Sequence, residues 1–442
     1  MTSIQAAGAP AARLHAPRGA SRVRHGILVL ITIATVINYL DRTVLGIAAP
    51  TLTKELQIDP FWLGIAFSAF SWTYAFAQLP GGIFLDRFGA RFTYFLSMVS
   101  WSAFTLLQGV TAGLTSLLVF RLGLGISEAP CFPANARICG TWFPQHERAR
   151  ANGVYSIGQY VGLAVFGSVL VWIMTEFGWR ALFFLVGSIG VLFGFIFAYF
   201  YRDPDASTTV NQAELDHIAA GGGLGSKQPE RTRFAWSQVV TLLKYRQIVG
   251  ACLGQFGGNS TMVFFLTWFP TYLATERHMS WLKSGFLPSL PFLAAAVGVL
   301  FGGWASDKLL TVTGSANIAR KTPLIVGLLG AATIIGANYV DDNRVVIAIM
   351  SFAFFCQGMT NLGWTLIADI APKNLMGVTG GVFNFAANVA GIATPVVIGA
   401  VVSATGSFFG GLVYTGAVAL VGALSYVFIV GDVRRIEDIG QF

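Results

Sequence analysis

From residue 26 to residue 430 the chain returns repeatedly to runs of about 20 apolar residues, each long enough to cross the hydrocarbon core of a bilayer as a helix. Barrel strands would read as alternating segments of roughly 10 residues instead. The runs predict helices at 26–48, 61–84, 91–112, 116–140, 150–174, 180–201, 247–274, 284–305, 322–339, 345–368, 377–403 and 409–430. The expectation is an all-α polytopic membrane protein with twelve transmembrane helices. Composition agrees: 55% of the 442 residues are hydrophobic and only 11% are charged, against roughly 25% in soluble domains.

An even number of crossings puts both termini on one side. Basic residues crowd that side, from Arg13, Arg18, Arg22 and Arg24 in the first tail to Arg434 and Arg435 in the last, with Lys227, Arg231, Arg233 and Lys373 in between. The opposite loops keep Lys54, Arg180, Arg277, Lys283 and Arg344. The positive-inside rule therefore makes both termini cytoplasmic. The net charge of +8 reads as a topology signal, so no nucleic-acid partner is expected. "GAPAA" precedes the first apolar run rather than following it, so helix 1 is read as retained, not as a cleaved leader. Cys131, Cys139, Cys252 and Cys356 fall in apolar segments without metal-like spacing and read as packed thiols.

Residues 202–246 are rich in Gly, Ser and charge, and "NQAELDHIAA" within them reads as a short surface helix. This connector divides the chain into a tail (1–25), a six-helix bundle (26–201), the connector, a second bundle (247–430) and a final tail (431–442). The halves echo one another. "GGIFLDRFGAR" closes helix 2 with Asp86, Arg87 and Arg91, and "GGWASDKLL" closes helix 8 with Asp307 and Lys308. A parallel duplication explains the repeat, and transporters built from repeats bind substrate between them near mid-membrane.

The first copy resembles the signature loop of the major facilitator superfamily. "INYLDR", "FSAFSWTYAFAQLPGG", "EAPCFPANARICGTWFP", "ERARANGVYSIGQYVG" and "APKNLMGVTGGVFNFAANVAG" resemble, in order, the anion:cation symporter branch, which carries sugar acids and aromatic carboxylates. The resemblance spans the whole chain. It implies two pseudo-symmetric six-helix bundles, alternating access, and a gating role for Asp86, Arg87, Arg91 and Asp307, with Asp86 near a partner helix end stabilising the outward-facing state.

Four charges fall inside predicted membrane helices: Asp41, Arg42, Arg121 and Glu128. Ionisable groups at such depth are costly unless paired or wetted, which makes them functional candidates. Arg121 and Glu128 are seven apart and share one helix face, two turns or roughly 10 Å from each other; Pro130 and Pro133 then bend that helix. An anion in a low-dielectric cavity needs a permanent cation, and Arg offers a planar fork for carboxylate. Arg42 is the first choice and Arg121 the second. Proton coupling needs a group that changes charge. His15, His25, His146, His217 and His278 lie in tails or loops, which leaves Asp41 and Glu128. A carboxylate beside Arg stays ionised until substrate engages that Arg, so anion and proton binding favour each other. Because adjacent helical residues point about 100° apart, Asp41 and Arg42 address different partners.

The resemblance implies the same division: Asp41 and Glu128 as coupling carboxylates, Arg42 on the substrate carboxylate, and Arg121 pairing with Glu128. It also places Tyr39, Gln159 and Asn384 on binding positions. Tyr74, Asn361 and Trp364 complete the expected pocket, where hydroxyls and amides suit a polyol and aromatic rings suit a flat face. Gln255 and Asn259, four apart on helix 7, can face the same cavity, and Asp369 reads as an interfacial cap.

The expected function is therefore import of a small organic anion (hexonate, hexuronate or aldarate) by proton symport, in the inner membrane, by a functional monomer without cofactor. An aromatic, phthalate-like acid is the alternative. Anion exchange would lean on arginines from both halves, and the second half has no embedded arginine. A non-transporting receptor would want a longer signalling segment than the final tail, and no nucleophile–base pair or metal cluster suggests an enzyme.

Overall fold

The computed structural model describes residues 19–223, 236–279, 287–372 and 375–436. Arg13, Arg18, His15, Lys227, Arg231, Arg233, Lys283 and Lys373, together with the first residues of the predicted helix 8, lie outside the described residues. The described residues are helical throughout and contain no strand.

The first six crossings are carried by α1 (Val23–Leu56), α2 (Pro60–Gln108), α3 (Leu114–Glu128) with α4 (Cys131–Trp142), α5 (Gln145–Phe177) and α6 (Trp179–Phe200). The expected helices 2 and 3 join in α2 without an intervening loop. Asp59 starts it by accepting the Phe61 N–H at 2.8 Å, with Pro60 at the first position, where its missing N–H costs nothing. The two arms turn at Gly89, whose φ of 80° and ψ of 167° suit glycine. Pro130 separates α3 from α4, as the proline pattern predicts.

Next come α7 (Gln212–Ala220) and α8 (Trp236–Leu242) in the connector. The last six crossings follow as α9 (Arg246–Thr267) with α10 (Phe269–Thr275), α11 (Leu290–Thr313), α12 (Ala316–Ala331), α13 (Asn343–Met359) with α14 (Gly363–Ile370), α15 (Met376–Thr405) and α16 (Phe409–Leu424). Among the described residues nine helical stretches are long and apolar enough to cross a membrane. The two arms of α2 and the α9–α10 pair supply the other crossings; hydroxyl, amide and glycine side chains dilute their hydropathy.

The buried side chains form three clusters, and their distribution sets the shape. One joins both halves at the face remote from the termini, drawing Val44–Leu52 of α1, Leu63 and Phe67 of α2, Phe264–Leu273 of α9 and α10, Phe354 of α13 and Ile398 of α15. The other two lie toward the terminal face and do not mix. One belongs to the first half, including Ile31, Trp101 and Trp142, and the other to the second half, including Leu324, Ile370 and Tyr426. The buried clusters of the halves thus merge at the remote face and stay apart toward the termini, where α2 and α15 still touch through Gln78 and Asn384.

The predicted connector helix forms as α7, capped by Asn211 accepting the Glu214 N–H at 3.1 Å. It does not lie free on a surface. Glu214 and His217 are buried, and Arg24 at the start of α1 bonds Glu214 at 2.9 Å and Glu147 at 3.0 Å. Ser21 adds a bond to Glu214 and His217 contacts Glu147 at 3.3 Å.

Candidate functional site

Where the halves part, a cavity of about 570 Å³, its open mouth included, lies between α1, α2, α3, α9 and α15. Tyr39, Arg42, Phe70, Ser71 and Arg121 line it from the first half, and Asn259, Met262, Thr267, Asn388 and Gly391 from the second. A Cβ on Gly391 would crowd the Ser71 side chain of α2.

The charges are arranged differently from the expected pairing. Arg42 Nε donates to Glu128 Oε1 at 2.6 Å, and its Nη2 shares the same oxygen, so the acid partners Arg42 and not Arg121. Glu128 is fully buried and its second oxygen has no partner. The Arg42 guanidinium sits 4.8–5.0 Å from the ring centres of Tyr39, Phe70 and Tyr74. This π-face cage holds a cation without neutralising it. Arg121 donates only to the Ala66 and Phe67 carbonyls, both at 3.3 Å, and its Nη1 is buried without a partner. The seven-residue spacing does put Arg121 and Glu128 on one face of α3, but α1 inserts Arg42 against the acid first.

Asp41 points elsewhere, as the 100° offset predicts. It is buried with Oδ2 accepting the Trp101 indole N–H at 2.9 Å, while Oδ1 has no hydrogen-bond partner. Asp41 and Arg42 therefore make two separate contacts. Asn38, one turn before Arg42, is fully buried with both amide atoms unpartnered.

The expected neutral groups divide. Tyr39 lines the cavity, and Tyr74 stacks on Phe70 behind Arg42 with a centroid distance of 5.2 Å. Gln159 is buried in α5, off the cavity wall. Asn384 donates to Gln78 Oε1 at 2.7 Å, a bond from the second half to the first. Asn361 and Trp364 are exposed and do not line the cavity; Asn361 lies in the 3₁₀ turn Thr360–Leu362 that breaks helix 10, and Trp364 meets Phe383 edge-on at 5.1 Å. Asn388 was missed, although it lies four residues beyond Asn384 on the same helix face. Ser71 and Thr267 carry no sequence signal that separates them from ordinary helix-packing hydroxyls.

The gating candidates sit at the terminal face. Asp86 approaches Arg137 at 3.8 Å, and Arg137 also donates to the Leu85 carbonyl. Arg91 donates to the Ala198 carbonyl at 2.7 and 2.9 Å, and Arg87 covers Phe88. In the second half Arg320 plays the Arg137 part, 4.0 Å from Asp307, and bonds Asp369 at 2.9 Å, so the presumed cap is half of an ion pair. These contacts all stay within one half.

The sequence profile of the Major Facilitator Superfamily matches residues 31–395. The "D-galactonate transporter" of Escherichia coli O6:H1 is 45% identical over 94% of this chain and 97% of its own length. A "Probable galactarate/D-glucarate transporter" of Escherichia coli K12 is 42% identical over 94% and 95%. Among solved structures, a bacterial homologue of the human lysosomal transporter Spinster superposes with a TM-score of 0.72 at 19% identity, covering 93% of this chain and 97% of that one.

Proposed function

The chain belongs to the Major Facilitator Superfamily, and on that premise we propose that it imports a sugar acid together with protons, by alternating access between the 26–201 and 247–430 bundles. The observation that carries this reading is the Arg42–Glu128 pair on the wall of the cavity. One guanidinium is shared in turn by a fixed acid and an incoming one. Protonation of Glu128 releases Arg42, whose aromatic cage keeps it in place for a substrate carboxylate; loss of the substrate returns Arg42 to the ionised acid. Anion and proton then load and unload together. Asp41, held by Trp101 and with one oxygen open, is the second proton site.

With both termini in the cytoplasm, the separated face looks inward, and this state is the one that releases cargo. The protein works as a monomer in the inner membrane, with Asp86, Arg87, Arg91 and Asp307 controlling the terminal face. Tyr39 lies beside the carboxylate end, and Asn384 bridges the halves through Gln78. Tyr74, Gln159, Asn361 and Trp364 act on substrate only as the bundles rock. Support for the sugar acid comes from the relatives named above and from amide and hydroxyl groups on the wall. An aromatic acid is the second reading, favoured by Phe67 and Phe70 beside Arg42. Exchange of one anion for another is disfavoured, because both lining arginines come from the first half.

Proteoliposomes with an acidic exterior should accumulate labelled sugar acid, and the double variant Asp41→Asn plus Glu128→Gln should lose accumulation while keeping counterflow. Accumulation by that variant, or wild-type uptake indifferent to the gradient, overturns the proton sites.

A further inference from the structure

Resting on the sugar-acid reading, we infer that the site selects acids with a single carboxylate and rejects those with a carboxylate at each end. The cavity is polar at both sides but in opposite senses. The first half brings the charged donors: Arg42, which Glu128 releases on protonation, and Arg121, with an unpartnered nitrogen. Among the described lining residues the second half brings no cation.

What the second half does bring is acceptors. Asn259 Nδ2 donates to the Ala387 carbonyl at 2.5 Å, and Asn388 Nδ2 donates to the Asn384 carbonyl at 2.9 Å. A backbone carbonyl can only accept, so these two bonds fix which end of each amide is NH₂. Each Oδ1 stays free as an acceptor, and each amide keeps one further N–H. Thr267 likewise spends its hydroxyl proton on the Val263 carbonyl at 2.7 Å. Three polar side chains on this wall therefore offer lone pairs.

Lone pairs accept from hydroxyl groups. A carboxylate on this wall would meet neutral amides and a spent hydroxyl but no cation, and after losing its water it would be an uncompensated charge in a site of low dielectric. The Ser71 and Tyr39 hydroxyls on the facing wall are neutral donors, and neutral donors do not supply the countercharge that a desolvated anion needs. A polyol chain ending in CH₂OH satisfies the same wall at every oxygen. The substrate thus lies with its carboxylate toward Arg42 and Arg121 and its hydroxyl end toward Asn259, Thr267 and Asn388. Rejection of the diacid works by leaving its second charge unpaired, not by size.

The test uses the purified full-length protein and calorimetric titration with D-galactonate and D-gluconate against galactarate and D-glucarate. The monoacids should bind at least about tenfold more tightly, which is about 1.4 kcal/mol. Asn388→Lys puts a cation on the acceptor wall and should narrow or reverse that ratio; Asn388→Asp should widen it. Diacids binding as tightly as monoacids to the wild type overturn the inference and leave the sugar-acid reading standing. Binding of neither class overturns both.

Discussion

At the face remote from the termini, side chains of both halves share one core; at the terminal face each half keeps its own. The bonding differs as much as the shape. Contacts between the halves at the remote face are mostly apolar and close. A Cβ on Gly46 would meet the Leu266 and Thr267 carbonyl oxygens at 2.7 and 2.9 Å, and one on Gly64 would run into the Pro395 carbonyl. Phe67 meets Trp268 edge-on at 5.3 Å. Among the described residues, polar bonds across this seam include Ser168 with Ser289 at 3.0 Å and Ser403 with Asp59 at 2.8 Å. The terminal ends are braced by charge instead, each within its own half: Arg24 with Glu147 and Glu214, and Arg320 with Asp369. Directional bonds resist sliding, while packed glycine faces part and re-form at little directional cost. The charged braces tie each bundle to itself, and the remote seam holds the halves together chiefly by packing.

The largest effect should come from wedging that seam. Gly46→Leu and Gly64→Leu each place bulk against backbone, at about 1–3 kcal/mol of overpacking apiece. Together they should cut uptake by about 100-fold, since each 1.4 kcal/mol is tenfold, while a thermal-shift assay still reports a folded protein that binds substrate. Normal uptake by the doubly wedged protein would break the comparison. A smaller, reversible effect should follow from tying the seam. Ser168→Cys with Ser289→Cys places two thiols where the hydroxyls already touch. Oxidation should lower uptake about tenfold and a reductant restore it, the expected result if opening at this point limits the cycle.

The smallest effect tests the braces. Burial works against ionisation of Glu147, but hydrogen bonds from Arg24 and His217 outweigh it and hold its carboxyl below the ordinary 4.5. A depressed acid adds stability above its unfolded value and loses it as pH falls through the folded one. Glu147→Gln should therefore lower the unfolding free energy at pH 7 by about 1–2 kcal/mol through lost charged hydrogen bonding, read as a lower melting temperature. The difference from wild type should fade as the pH is taken below 4.5. A gap that stays constant across that range would assign the brace to packing.

Helix length and apolarity made the crossings legible, because a bilayer leaves the backbone few other solutions. The four embedded charges stood out for the same reason. Their partners did not. Arg42 meets Glu128 from 86 positions away and Trp101 reaches Asp41 from 60. Sequence spacing fixes which face of its own helix a residue occupies, but not how neighbouring helices are rotated, and that rotation chose Arg42 over Arg121 for the acid. Asn361 and Trp364 lie at and just after a 3₁₀ turn, which changes the angular period that a face argument assumes. The loop-free corner at Gly89 was hidden because glycine is common in the apolar runs as well.

The docking of α7 has a consequence for biogenesis. Arg24 lies buried at the start of the first crossing, and Glu214 is 190 residues further along the chain. At synthesis rates of about 5–20 residues per second, its partner arrives on the order of ten to forty seconds later. Glu147 reaches Arg24 earlier, 123 residues along the chain, and Glu214 completes the clamp at the terminal face. The connector thus closes the first bundle with contacts among Ser21, Arg24, Glu147, Glu214 and His217 that need nothing from the second half.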